Sequence, residues 1–160
     1  VKRPDGVIRM NIGHSGDTKL LTIRDGKRFD PGTTKLQNLG GAAIRTGMIE
    51  PWKYYTFRQQ NVLTGSLGAG DTADPPEFRG FDYQEGDRFV LASDGLWDIV
   101  SEYEVLQLAE TYQGKELQKH VFELAFNRSN SDSFEIRHSP DHTVRKQQIW
   151  GDNITVLVVG

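Results

Sequence analysis

The sequence predicts an α+β fold with mostly antiparallel strands, and three observations predict it. Strand-like alternation runs through residues 7–12 and 19–23, two apolar stripes at helical spacing lie between 101 and 125, and a β-branched run closes the chain. The first segment, Val-Ile-Arg-Met-Asn-Ile at 7–12, alternates apolar with polar residues and reads as a half-buried strand. Residues 19–23 form a second strand, and Asp25-Gly26 signals a hairpin before 27–29. From 30 to 81 the chain is rich in Gly, Pro, Thr and Gln, which predicts loops with short strands, one at 53–58. Residues 88–92 read as a strand bounded by Gly86-Asp87 and by Ser93-Asp94-Gly95. Ser101 and Glu104 then have capping-box spacing, in which each side chain satisfies backbone donors at a helix start. Val105, Leu108, Ala109 and Tyr112 follow on one helical face, Gly114 interrupts, and Leu117, Val121, Leu124 and Ala125 make a second stripe. Residues 127–149 are polar and predict a long surface loop, and 154–159 predict the last strand.

Size and charge narrow the function classes. The 160 residues suit a single domain spanning 1–160 with a real core. A net charge of −3 without a basic stripe argues against nucleic acid as the main partner. The absence of cysteine excludes disulfides, thiolate zinc sites and a cysteine nucleophile. Apolar runs at 89–92 and 154–159 are far too short to span a membrane, and Val-Lys-Arg-Pro-Asp-Gly at the start is no signal segment. The expected location is cytoplasmic or nuclear. The lack of an initiator Met leads to the expectation of a fragment or processed product.

Asp94 ends the predicted strand 88–92, and Asp152 immediately precedes the last strand. If those strands are antiparallel neighbours, the two carboxylates converge at one sheet edge. Mg²⁺ and Mn²⁺ favour such oxygen ligands. A plainer role competes, since Asp-Gly and Asp-Asn beside strands are common turn formers, and pattern alone favours it.

Longer motifs change that balance. Asp87-Arg-Phe-Val-Leu-Ala-Ser-Asp-Gly-Leu-Trp-Asp-Ile-Val100 and Gly151-Asp-Asn-Ile-Thr-Val-Leu-Val-Val159 resemble two motifs of the type 2C serine/threonine protein phosphatases. They occur in the family's order with a helical pair between them. Asn11-Ile-Gly-His-Ser15 resembles the family's Asn-x-Gly-Asp-Ser, and Gly40-Gly41 and the segment 63–71 resemble its Gly-Gly and Ser-Arg-x-x-Gly-Asp segments. The resemblance covers nearly the whole chain but only the C-terminal half of a family catalytic domain.

The resemblance implies part of a sandwich of two antiparallel β-sheets flanked by helices. It also implies metal-dependent hydrolysis of phosphoserine and phosphothreonine in proteins by metal-activated water, without a covalent phosphoenzyme. Asp94 and Asp152 would hold metal, either Mg²⁺ or Mn²⁺, while Gly95 and Asn153 shape the turns. Implied partners are a phosphoprotein substrate and the missing N-terminal segment or a companion chain. Three departures set this sequence apart. The family's early acidic ligand and Asp-Gly-His-Gly motif are absent, His14 stands where the family has Asp, and Ser66-Leu67 replaces Ser-Arg. Asp17 is a candidate to compensate for His14. The alternative function is a catalytically inactive pseudophosphatase acting as a protein-binding or regulatory module.

Other features carry plainer readings. Pro140 between His138 and His142 argues against a helical metal site, and His120 borders an apolar stripe. Gly65, Gly68 and Gly70 lack a following Gly-Lys-Ser/Thr, so tight turns are favoured over a phosphate loop. Trp97 is read as core, Trp52, Tyr54 and Tyr55 as a packed strand rather than an exposed patch, and Asp98 as a residue orienting the Asp94 turn.

Overall fold

The computed structural model describes residues 1–68, 70, 73–147 and 152–160. Strands β1 (Arg9–His14), β2 (Lys19–Arg24) and β3 (Lys27–Arg28) come first, with Asp25 and Gly26 turning between β2 and β3 at φ 52° and 72°. Both residues occupy the left-handed region that a tight two-residue hairpin requires, so glycine suits the second position. Helix α1 (Leu39–Arg45), strands β4 (Glu77–Asp82) and β5 (Arg88–Ala92), and the short α2 (Asp94–Trp97) follow. Helices α3 (Glu102–Thr111) and α4 (Gly114–Ser129), a hairpin of β6 (Ser133–Ser139) and β7 (His142–Gln147), and β8 (Val156–Val159) complete the chain.

The central sheet has the antiparallel order β3-β2-β5-β8. Its period of two puts Leu21, Ile23, Val90, Ala92 and Val158 on one face, all buried. That face packs against Leu96, Trp97, Val105, Ala109, Leu117, Val121 and Ala125 of the helices, which is the main core. The capping box of α3 forms as predicted, with Ser101 Oγ accepting from Glu104 N at 3.1 Å and Glu104 returning a carboxylate to Ser101 N at 3.0 Å. An α+β fold with antiparallel sheets and flanking helices is what the sequence predicts. Two further antiparallel pairs, β1–β4 and β6–β7, stand beside the central sheet.

Four expectations need correction. The first strand is displaced from 7–12 to Arg9–His14, in register with β4 from Arg9↔Asp82 to His14↔Glu77. Residues 53–58 are not a strand: Pro51–Thr56 is a 3-10 helix, with Pro51 at its start and the adjacent Tyr54 and Tyr55 both buried, which a strand's alternation forbids. The loop-rich reading of 30–81 missed α1, which Asn38 caps by accepting from Gly41 N at 2.8 Å, and β4. The predicted surface loop 127–149 is mostly ordered as the end of α4 and the β6–β7 hairpin, while residues 148–149 lie outside the described residues. That hairpin looked loop-like because its polar residues face water. Ile136 and Val144 pair across it, both buried, and with Tyr54 and Tyr55 build a second small core.

One buried ion pair ties the sheet together. Asp87, at the start of β5, receives Arg24 Nε and Nη2 at 2.7 Å each, and Gln84 N at 3.0 Å. The Arg24 hydrogen bonds outweigh the cost of burial and hold the Asp87 carboxyl below the usual carboxylate range. Glu102 also sits low: burial alone would raise it, but Lys19 and Arg28 more than reverse that. A carboxyl depressed in the folded state stabilises fully above its unfolded pKa, near 4, and that contribution disappears as pH falls through the folded value. Stability is therefore expected to fall as pH drops below about 4. Asp87→Asn should cost about 3 kcal/mol at pH 7 and flatten the acid limb. Urea midpoints at pH 7, 4 and 3 check both effects.

Candidate active site

Pairing of β5 with β8 places the two motif aspartates on one sheet edge. The register runs Phe89↔Val159 to Ala92↔Val156, so the chain leaves β5 beside the segment that enters β8. Beyond the ladder, Ser93 N donates to Thr155 O at 3.2 Å, Thr155 N donates to Ser93 Oγ at 3.2 Å, and Ser93 Oγ donates to Asn153 O at 3.1 Å. Asp94 opens α2, and Asp152 sits one residue before Asn153. Gly95 is essential to this closeness, because a Cβ there would lie 2.4 Å from Asn153 O. Each aspartate accepts from the next backbone N–H, Asp94 from Gly95 at 2.9 Å and Asp152 from Asn153 at 2.7 Å. Both carboxylates keep further lone pairs for another ligand. Asp94 is half-buried and Asp152 exposed.

Asp17, between β1 and β2, belongs to the same electrostatic neighbourhood. Its carboxyl is raised above the ordinary range, first by burial and next by repulsion from Asp94, with a smaller push from Asp152; its own backbone N–H and His14 pull the other way. Neighbouring carboxylates of this kind suit a divalent cation. The donor set is nonetheless small. Among the described residues no group of three or more His, Asp or Glu side chains converges closely enough to hold an ion.

His14 does not take up the role of an acid at its position. Its Nε2 donates to Thr18 O at 2.5 Å, while Nδ1 lies 3.7 Å from Glu77 and has no hydrogen-bond partner among the described residues. His138 and His142 are likewise committed to packing. His142 stacks on Trp52 and bonds Ser139 Oγ at 3.2 Å, and His138 lies against Tyr55. His120 lies against Tyr112, with ring centroids 3.8 Å apart and the planes tilted by 31°. Gly68 and Gly70 take positive φ, and a Cβ on Gly65 would strike Gln37 Oε1 at 2.5 Å, so these glycines serve turns and close approach. Asp71 and Gly151, both part of motif segments, lie outside the described residues.

Asp98 braces the site from behind, and its partners were not foreseen in the sequence. Tyr54 Oη donates to its carboxylate at 2.9 Å, Asn38 Nδ2 donates to Tyr54 Oη at 3.2 Å, and Lys146 Nζ donates to the Asp98 carbonyl at 2.8 Å. Burial pushes the Asp98 carboxyl up to about 6, with Lys146 and Tyr54 drawing it partly back and Asp94 adding repulsion. Asp98 N donates to Asp94 O at 2.8 Å, so the network joins the 3-10 helix and β7 to the turn that carries Asp94.

No family model matches the chain. The serine/threonine protein phosphatase PstP of Mycobacterium tuberculosis is 26% identical over 125 residues, covering 78% of this chain and 24% of PstP. A probable mitochondrial protein phosphatase 2C, member 13 of Oryza sativa subsp. japonica, is 30% identical over 140 residues, covering 76% of this chain and 36% of that protein. The crystal structure of PstP superposes with a TM-score of 0.63 at 26% identity, over 74% of this chain and 49% of that one. Sequence and structural relatives alike are type 2C serine/threonine protein phosphatases. The chain spans about a quarter to a third of those curated relatives, at 24% and 36%, and about half of the solved PstP chain, at 49%. A second PstP structure, its catalytic domain in complex with two manganese ions, shares the fold with a TM-score of 0.61 at 22% identity, over 95% of this chain and 54% of that one.

Proposed function

We propose that this chain, as a single domain portion spanning 1–160, supplies the C-terminal part of a type 2C active site that hydrolyses phosphoserine and phosphothreonine in proteins. The observation that carries this reading is the β5–β8 pairing, which brings Asp94 and Asp152 from distant parts of the sequence to one edge. These two carboxylates would hold Mg²⁺ or Mn²⁺, ions that prefer carboxylate oxygen. When bound, such ions supply an activated water and a clamp for phosphate. The chain's own residues supply position. Ser93 and Thr155 lock the two segments together, Gly95 lets them touch, and Asp98 with Tyr54 fixes the first turn of α2. The donor set fits a hard cation in chemistry but falls short in number, since such ions take about six oxygens.

A companion segment or chain would complete the set. The central sheet leaves Leu91, Leu157 and Val159 exposed at 41%, 50% and 54% on the face opposite the helices, and β8 pairs with no further strand on its outer side among the described residues. An apolar face beside an unpaired edge invites further protein. A non-catalytic binding module is the second reading, favoured by the commitment of His14 to Thr18 and by the small ligand set.

Titration calorimetry with Mn²⁺ tests the site. Weak binding is expected for the isolated chain, with Asp94→Ala and Asp152→Ala each lowering affinity about tenfold or more, since even outer-shell changes at metal sites cost 10- to 100-fold. Binding by both variants as tight as by the unaltered chain would defeat the assignment.

A further inference from the structure

Beside the aspartate edge lies a cleft of about 820 Å³ whose walls come from five separate parts of the chain. Gly95, Asp98 and Asp152 line it from the candidate site, Arg58 from the segment after the 3-10 helix, and Arg145 and Lys146 from β7. Its two arginines form no ion pair among the described residues. Lys146 is half-buried, its ammonium is lowered by that burial against the pull of Asp98, and it donates to the Asp98 carbonyl. Arg58 is exposed and makes no ion pair or side-chain hydrogen bond among the described residues. Arg145, also exposed, donates only to Ser133 Oγ at 3.2 Å; Glu135 opposes it across the hairpin but forms no ion pair with it among the described residues.

The hairpin is what brings Arg145 here. Val144 turns into the small core with Ile136, Tyr54 and Tyr55, and the period of two then turns Arg145 outward. The same packing fixes the 3-10 helix and therefore the Arg58 segment that follows it. A cleft shared by the Asp152 edge and two guanidinium groups that have no ion-pair partner among the described residues favours a ligand that carries carboxylates next to the group presented to that edge.

We infer that the cleft selects substrates by sequence, binding phosphorylated segments whose flanking residues are Asp or Glu, through Arg58 and Arg145. Placement of the phosphorylated side chain at the Asp94–Asp152 edge rests on the hydrolytic reading above. Recognition of the acidic flank does not, because it uses neither aspartate.

Fluorescence anisotropy without metal, using the whole chain and a labelled phosphothreonine peptide with flanking Glu or the same peptide with flanking Gln, tests the inference. The Glu peptide should bind about fivefold more tightly at low salt, the scale of two exposed ion pairs, with the difference shrinking as salt rises. Arg58→Gln with Arg145→Gln should abolish the preference, whereas Lys115→Gln, the same kind of charge change out on α4, should keep it. Equal binding of the two peptides, or a preference that survives the double variant, would overturn the proposal. Phosphate release assayed separately distinguishes the two readings. An acidic preference without Mn²⁺-dependent release in the completed protein would count against hydrolysis and leave the cleft assigned, and release without preference would do the reverse.

Discussion

Trp97→Ala is expected to destabilise the chain by about 3–5 kcal/mol, the largest loss that any single truncation here should produce. The indole is 3% exposed and belongs to the main core with Leu21, Val90 and Ala92. It is also the last residue of α2, the four-residue helix that Asp94 opens. Its Nε1 donates to Ala92 O at 3.1 Å and to Lys19 O at 3.2 Å, so one side chain bonds the ends of β5 and β2 where they lie paired. Alanine would remove the ring, leave a cavity and deprive both carbonyls of a donor. Trp97→Phe separates these effects, retaining most of the apolar volume and losing the donor, at about 1–2 kcal/mol. Urea denaturation followed by far-ultraviolet circular dichroism gives both numbers. A loss below about 1 kcal/mol for Trp97→Ala would show that α2 is held in place by something else.

The elements that the sequence revealed are those whose burial pattern is regular. Strand β5 alternates Val90 and Ala92 inward with Leu91 outward, and α3 carries its own start signal in Ser101 and Glu104. The elements it concealed are those stabilised by contacts distant in sequence. Nothing local marks Pro51–Thr56 as helical except Pro51. Its two tyrosines are fixed by Asp98, Ile136 and Val144, between 44 and 90 residues further on for Tyr54, from the difference in their numbering. The β6–β7 hairpin shows the same limit, since only two of its residues are buried and neither run looks apolar.

The candidate site divides along similar lines. Asp94 and Asp152 were legible because short motifs surround them, and the β5–β8 pairing required for their convergence is present. Asp17 was visible only as a neighbour of His14. Its common field with Asp94 and Asp152 depends on how the β1–β2 connection folds over the sheet edge. Arg58, Arg145 and Lys146 gave no signal, because three cations spread over 89 residues, from their numbering, become one wall only after the hairpin docks on the 3-10 helix.

The isolated chain is expected to release no phosphate above background from a phosphothreonine peptide in Mn²⁺, and to do so once a segment carrying the remaining ligands is supplied. Two aspartates offer only part of the oxygen shell that a hard divalent ion takes, and no third acidic or histidine ligand joins them among the described residues. Affinity and placement of the ions should both suffer, and hydrolysis depends on both. In the completed protein Asp94→Asn should lower Mn²⁺-dependent release by about 100-fold or more, beyond the 10- to 100-fold typical of changes one shell further out. Asparagine keeps the side chain's size and its capacity to accept from Gly95 N, now 2.9 Å away, so the α2 turn should persist and the loss should report charge. Circular dichroism and the urea midpoint of the variant verify that the fold is retained. Robust turnover by the isolated chain would refute the incomplete site, and an unaffected Asp94→Asn would remove Asp94 from it. A completed protein that binds a phosphopeptide yet releases no phosphate would establish the non-catalytic binding module in place of the enzyme.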